Sequence, residues 1–454
     1  MGITLVEKSD PLFSKDNPKI ALVLAGGAIS GGAFKVGGLK ALNDYFVNKK
    51  VTDFDIYVGI SAGSFLAAPL AGGIPPEEML ASLDGKSKLF SQLSPLQMYR
   101  PNFSEFFLRP LQYLYGHLTF VPGILYDLLM AYPNLKDDFV TNVKDLLNSP
   151  NYSNYEKLIS PFLRIIYASR TLPHLGEMFP SGLFDNAPLE KFIRMNMKQN
   201  RMSNHFKVLK RMSGKSLYIS SMELDSARSV IFGPDEKNDV TISQAIQAST
   251  AIPGFYKPAR IKGVDYLDGG VEKTANLDIA FQKGADLVIC YNPFRPFNNE
   301  VVVEYLREEN RYFSKKKRLS DLGLGVIFNQ VFRTLFHTRL MQTIQAYQED
   351  HLFRKDIILI EPQEDDSEFF QLNPILIWNR AKAAAQGYQS VFHSIRNKFH
   401  RIEAIVKKYG ITMSDNLANR DEAILEKSHF DPKVVMATLE KQSPRHLRIV
   451  NGNV

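Results

Sequence analysis

Residues 20–32 read Ile20-Ala21-Leu22-Val23-Leu24-Ala25-Gly26-Gly27-Ala28-Ile29-Ser30-Gly31-Gly32. A short, uninterrupted apolar run suits a strand covered on both faces, and the glycines that follow form a turn. Beyond them Phe34, Val36, Leu39, Leu42 and Phe46 recur at helical spacing. Strand, glycine loop and helix together open an α/β domain.

The unit repeats at once. Phe54 to Ile60 reads as a strand, Ser61 to Ser64 as a turn and Phe65 to Ala71 as a helix closed by Gly72-Gly73. Further strands are expected at 163–168, 217–221, 229–232, 287–291 and 357–361, so the sheet continues well past residue 300. Residues 376–409 carry an apolar stripe of Phe392, Ile395, Phe399, Ile402 and Val406 and read as one long helix. From Gly410 the chain turns polar and mixed, with a short helix and a loose end expected.

With 454 residues, 44% of them apolar and 23% charged, the composition is that of a soluble globular protein. It excludes a disordered tail, a collagen-like repeat and a multi-span membrane protein. The single cysteine, Cys290, rules out an internal disulfide framework and any multi-cysteine metal site. Its apolar neighbours make it a small buried hydrophobe. A net charge of +7 favours anionic partners such as membrane surfaces or polyanions without choosing between them. Lys8, Asp10, Lys15, Asp16 and Lys19 interrupt any N-terminal apolar stretch, so no signal peptide is expected. Val6 stands where a myristoylation pattern needs Ser or Thr. The expected location is cytoplasmic or peripheral on a membrane.

Two stretches stand apart in texture. Residues 104–132 are dense in Phe, Leu and Tyr, but Arg109, Pro110, His117, Pro122 and Asp127 break them up too much for a membrane span. Core helices, or an apolar lid or interfacial segment, both remain open. From Lys191 to Met222 there are eight basic residues and no acidic one, and Lys315-Lys316-Lys317-Arg318 forms a second cluster. Such runs are either solvated faces or contacts for anionic headgroups, worth about 1 kcal/mol per basic side chain near such a surface.

The chemistry concentrates in three places. Gly59-Ile60-Ser61-Ala62-Gly63 follows a strand and precedes a helix, so Ser61 sits on a tight turn with its oxygen thrust out of the sheet. The loop Gly26–Gly32 lacks the G-x-G-x-x-G spacing of a dinucleotide site and the G-K-[ST] ending of a P-loop. What remains is a nest of backbone N–H groups opening a helix, suited to a transient anion. Ser61 needs a base, and the nine histidines sit in no recognisable catalytic turn. His337 satisfies the order Ser…Asp…His, but it reads as mid-helix. Tyr266-Leu267-Asp268-Gly269-Gly270 offers a rigidly held carboxylate instead. An ordinary Asp-Gly turn is the plain alternative.

In this order the three motifs resemble the patatin-like phospholipase family, over roughly residues 18–295. So do Ser181–Leu189 and the longer stretch Ala245–Pro258 that leads into Asp268. The resemblance implies a three-layer α/β/α domain with a mostly parallel sheet at 18–298, a helical and strand extension on the same body at 299–410, and a polar tail at 411–454. It implies a Ser61–Asp268 dyad without histidine, an acyl-enzyme intermediate, and an oxyanion hole from Gly26, Gly27, Ala28 and the Ala62 amide. Gly31, Gly59, Gly63, Gly269 and Gly270 are the remaining motif glycines. The implied activity is hydrolysis of phospholipid or lysophospholipid esters at an anionic membrane surface, with no cofactor, no metal and no nucleic-acid partner. The acyl chain is expected in a groove partly built from 104–132. Two departures stand out, in the glycine loop and after Asp268: in the loop Ala28 replaces the family's third glycine, and Ser30, or Gly31 if aligned from the helix side, replaces a basic residue. After Asp268-Gly269-Gly270 this chain continues Val271–Asn276 rather than with an Asn-Pro turn. An α/β-hydrolase esterase using His337, or a lipid-binding protein with an impaired oxyanion loop, are the competing expectations.

Overall fold

In the computed structural model of the chain, residues 2–10, 15–169, 174–301, 303–306, 311–314, 317–364, 366–428 and 432–440 are described. They divide into two compact units, residues 1–100 with 185–454, and residues 101–184.

The larger unit is built on a nine-stranded sheet. In chain order its strands are β1 (Ile3–Glu7), β2 (Ile20–Leu24), β3 (Ile56–Ile60), β4 (Ser216–Glu223), β5 (Arg228–Phe232), β6 (Ala259–Ile261), β7 (Val264–Asp268), β8 (Leu287–Tyr291) and β9 (Asp356–Ile360). The order across the sheet is β1-β9-β8-β2-β3-β4-β7-β6, with β5 also paired to β4. The five central strands β9, β8, β2, β3 and β4 run parallel, and antiparallel strands close both sides.

The continuous apolar runs follow from burial on both faces. Leu22, Leu24, Tyr57, Leu217, Ile219, Leu287, Ile289, Ile358 and Ile360 enter one core, while Ala21, Val23, Ile56, Val58, Val288, Cys290, Ile357 and Leu359 enter the other. Period two therefore operates inside sequences that show no alternation. The first core is shared with helices α1 (Ala28–Tyr45) and α2 (Ala62–Ala71). The fold is thus α/β with a mostly parallel central sheet and a helical C-terminal part.

The smaller unit holds α3 (Phe103–Asn148) and α4 (Tyr152–Ser169). Asn142 donates to the Lys157 carbonyl at 3.3 Å and Phe139 meets Phe162 edge-on, so the two helices pack as a hairpin. Two expectations are corrected here. The strand expected at 163–168 is part of α4: its apolar run is short enough for either element, and pairing with α3 decides it. The 104–132 region is not broken, because α3 runs through Pro110, Pro122 and Pro133. By length and composition α3 could cross a membrane, and its most apolar window is only 6% buried.

Further along lie α5 (Ala187–Gln199), α6 (Phe206–Ser213), α7 (Ile242–Ser249), α8 (Leu324–Glu349), α9 (Arg380–Arg396) and α10 (Phe399–Lys407). Leu340 and Ile344 of α8 join the second core, on the opposite face from α1. The single helix expected at 376–409 is two, parted at Asn397-Lys398, which lets Val391 and Ile405 both reach the first core. Strand β1 was not expected; it pairs antiparallel with β9, and its Ile3 and Val6 are buried on opposite faces of the sheet. Beyond Gly410 the described residues form two helices, at Asn416–Lys427 and Pro432–Leu439. Of the second basic cluster, Lys315 and Lys316 lie outside the described residues.

Candidate active site

Ser61 caps the N-terminus of α2 directly after β3, with φ 53° and ψ −128°. A non-glycine residue at positive φ stores strain, and the surroundings here over-determine it. The Ser61 N–H donates to Ser249 Oγ at 2.8 Å, and Ser64 Oγ donates to the Ser61 carbonyl at 2.6 Å. Gly63 is fixed by space, since a Cβ there would lie 2.0 Å from the Leu24 carbonyl. Gly59 closes the other side of the turn at the end of β3.

Asp268 ends β7 and is 6% exposed, while Ser61 is 4% exposed. The Gly270 N–H donates to Asp268 Oδ1 at 2.8 Å, and the Asp268 N–H donates to the Ala251 carbonyl at 3.0 Å. Burial pushes its carboxyl up to about 6, against hydrogen bonds from the Ser61 side chain and the Gly270 N–H and the nearby charge of Lys35. The Ser61 side chain thus lies close enough to act on the buried Asp268 carboxyl. The Ala245–Pro258 stretch buttresses both: Ser249 at the end of α7 holds Ser61, and Ala251 two residues later holds Asp268.

The glycine loop presses against this pair. A Cβ on Gly26 would stand 3.3 Å from Ser61 Cβ. Gly27 adopts φ 140°, and Ala28, the departure from the third glycine, is held at φ 49°. The N–H groups of Gly26, Gly27 and Ala28 meet no backbone acceptor among the described residues, whereas those of Ile29 and Ser30 donate to the Pro374 carbonyl at 2.9 and 3.1 Å. Gly31 donates its N–H to Gly27 at 2.9 Å, and Gly269 opens the turn after β7.

Beside Ser61, Ala28 and Ala62 opens a cavity of about 130 Å³ whose apolar walls include Phe65, Phe90, Leu189, Phe192, Ile252 and Ile377. Pro374, Ile375, Ile377 and Arg380 were not identified from sequence. They lie outside every motif, and only the chain's return places them against α1 and the cavity. His337 sits within α8 with Nε2 3.4 Å from Glu361 Oε1. Cys290 is fully buried on β8, and burial pushes its thiol up. Among the described residues no His/Cys/Asp/Glu cluster could hold a metal.

The patatin-like phospholipase family profile matches residues 22–281, more than half of the chain, including the glycine loop, the Ser61 turn and the Asp268 turn. The chain belongs to the patatin-like phospholipase family. The protein YjjU of Escherichia coli (strain K12) is 35% identical over 179 residues, spanning 39% of this patatin-like chain and 44% of YjjU. The chain thus covers less than half the length of that relative. Among solved structures it is similar to VipD from Legionella pneumophila (14% identity, 94% of this chain and 84% of that one, TM-score 0.30). It is also similar to the effector ExoU of Pseudomonas aeruginosa (14% identity, 93% and 62%, TM-score 0.32). Superpositions this loose carry no functional information.

Proposed function

We propose that this patatin-like protein hydrolyses carboxylic esters of phospholipids or lysophospholipids through Ser61 and Asp268. Ser61 Oγ attacks the ester carbonyl carbon as its proton passes to Asp268. The carbonyl oxygen becomes an oxyanion beside the free N–H groups of Gly26, Gly27 and Ala28, with the Ala62 amide at the start of α2. Collapse breaks the bond to the alcohol, which leaves with the proton from Asp268. Water then attacks the acyl-enzyme, gives its proton to Asp268, and the fatty acid departs as that proton returns to Ser61.

The observation that carries this reading is the buried approach of Ser61 to Asp268, with Ser61 lining an apolar cavity beside three loop amides that meet no backbone acceptor among the described residues. It favours the dyad over a triad with His337, whose imidazole faces Glu361. An apolar cavity of ~150 Å³ takes one benzene, so about 130 Å³ holds roughly six carbons of an acyl chain. A fluorophosphonate probe should label wild-type protein on the Ser61 peptide by mass spectrometry. Labelling of the Ser61→Ala variant at equal extent would place the nucleophile elsewhere.

The membrane contact falls to α3. Between Arg109 and Asp127 its seventeen residues carry no Asp, Glu, Lys or Arg. Phe106, Phe107, Leu111, Leu114, Tyr115, Leu118, Val121 and Leu125 are all exposed. At helical spacing these side chains share one broad face of α3, an exposed apolar surface suited to lying in a lipid interface. Lys191, Arg194, Lys198, Arg201, Lys207, Lys210 and Arg211 on and around α5 and α6 are exposed and suited to anionic headgroups.

A further inference from the structure

The mechanism leaves unexplained a buried charge beneath the glycine loop. Lys35 projects from α1 and is fully buried. Its Nζ donates to the carbonyls of both Ala25 and Gly26, the latter at 2.7 Å. Burying an ammonium is costly, and methionine would fill a similar space without that cost. The position is also telling: the loop lacks a basic residue at Ser30 and Gly31, and Lys35 brings a cation to the same loop from the next turns of α1.

Peptide geometry says what those two hydrogen bonds do. In a trans peptide the C=O of one residue and the N–H of the next point in opposite directions. Holding the Ala25 carbonyl turns the Gly26 N–H to the far side of the loop, and holding the Gly26 carbonyl does the same for the Gly27 N–H. Those are two of the N–H groups left without a backbone acceptor, and Gly26 is the residue pressed against Ser61.

We infer that Lys35 is a positioning residue for the oxyanion hole, fixing the Gly26 and Gly27 peptide planes so that their N–H groups serve the transition state. The inference rests on the Ser61 reading above. It assigns Lys35 no contact with substrate. The titratable groups that face it are Cys290 on β8 and Asp268 at the end of β7. Burial lowers the lysine to about 7, with Cys290 and Asp268 acting in the opposite direction. A protonated Lys35 makes the two bonds charge-assisted, and a neutral one weakens them.

The test is steady-state hydrolysis of a soluble octanoyl ester by wild type, Lys35→Met, Lys35→Gln and Ser61→Ala. Losing an aligned oxyanion donor costs about 10²–10³ in kcat, so Lys35→Met should lose at least 10²-fold in kcat with KM within threefold. Lys35→Gln, which keeps a donor, should recover at least tenfold over Lys35→Met. A lysine that merely fills space predicts no such split and no rescue. A Lys35→Met protein that melts cooperatively and turns over within threefold of wild type overturns the inference. Should Lys35→Met fail to fold, the wild-type pH profile decides: kcat should decline above about pH 7 at constant KM, and a flat kcat to pH 9 overturns it. Wild-type turnover that survives Ser61→Ala would instead sink the parent reading.

Discussion

Asp268→Asn is expected to lower kcat for ester cleavage about 10³-fold, the middle of the range that general bases contribute, while KM changes little. The amide can still accept the Gly270 N–H, so the turn after β7 keeps its geometry, but it cannot take the Ser61 proton. In the wild type the same group sets the acid limb. Asp268 must be ionised to act, and burial has raised it to about 6, so activity should fall as pH drops below about 6. The stability consequence has the opposite sign from an ordinary paired carboxylate. The folded value exceeds the unfolded one near 3.8, so any stabilisation by this group is present below pH 4 and lost as pH rises through 6. Keeping Asp268 charged at neutral pH then costs the folded state up to about 3 kcal/mol. Asp268→Asn should therefore melt higher than wild type at pH 7.5 and close to it at pH 4. Thermal melts at the two pH values check this, and equal behaviour at both would show that the carboxylate is not held in a water-poor site.

Leu111→Asp with Leu118→Asp should abolish the partition of the protein onto phospholipid vesicles, by at least 10³-fold. Each leucine withdraws about 1.5–3 kcal/mol of apolar burial, and each charge adds about 2.5–3.5 kcal/mol at the depth of a bilayer centre. Both side chains are exposed, at 62% and 76%, and exposed substitutions rarely move stability by more than about 0.5 kcal/mol. The double variant should thus fold normally and cleave a soluble short-chain ester at the wild-type rate. Co-sedimentation with vesicles and the ester assay together give the answer. Unchanged sedimentation would mean that α3 meets something other than lipid.

Much of this was legible because the informative residues are local. The run 20–25, the elbow at 59–63 and the Asp268 turn each encode a strand end and a tight turn within a few residues, and the structure has strands ending at Leu24, Ile60 and Asp268. What local pattern could not resolve depended on partners far along the chain. Residues 163–168 form a helix because α3 packs beside them, although the run alone suits a strand. The division of 376–409 turns on two polar residues, Asn397 and Lys398, inside a continuous apolar stripe. Pro110 and Pro122 of α3 read as breaks, yet the helix continues through them and through Pro133. Pro374 and Ile377 reach α1 and the cavity only through tertiary return. Lys35 looks like any helical lysine in the sequence, and only its depth beneath the glycine loop distinguishes it.

The central claim is that Ser61 is the nucleophile of a lipid ester hydrolase. The most direct test is fatty-acid release from mixed phospholipid vesicles, followed by mass spectrometry, for wild type and Ser61→Ala at matched folding. The account predicts release by wild type and at least 10³-fold less by Ser61→Ala. Equal release by the two proteins, or none by wild type on vesicles and short soluble esters alike, would contradict it.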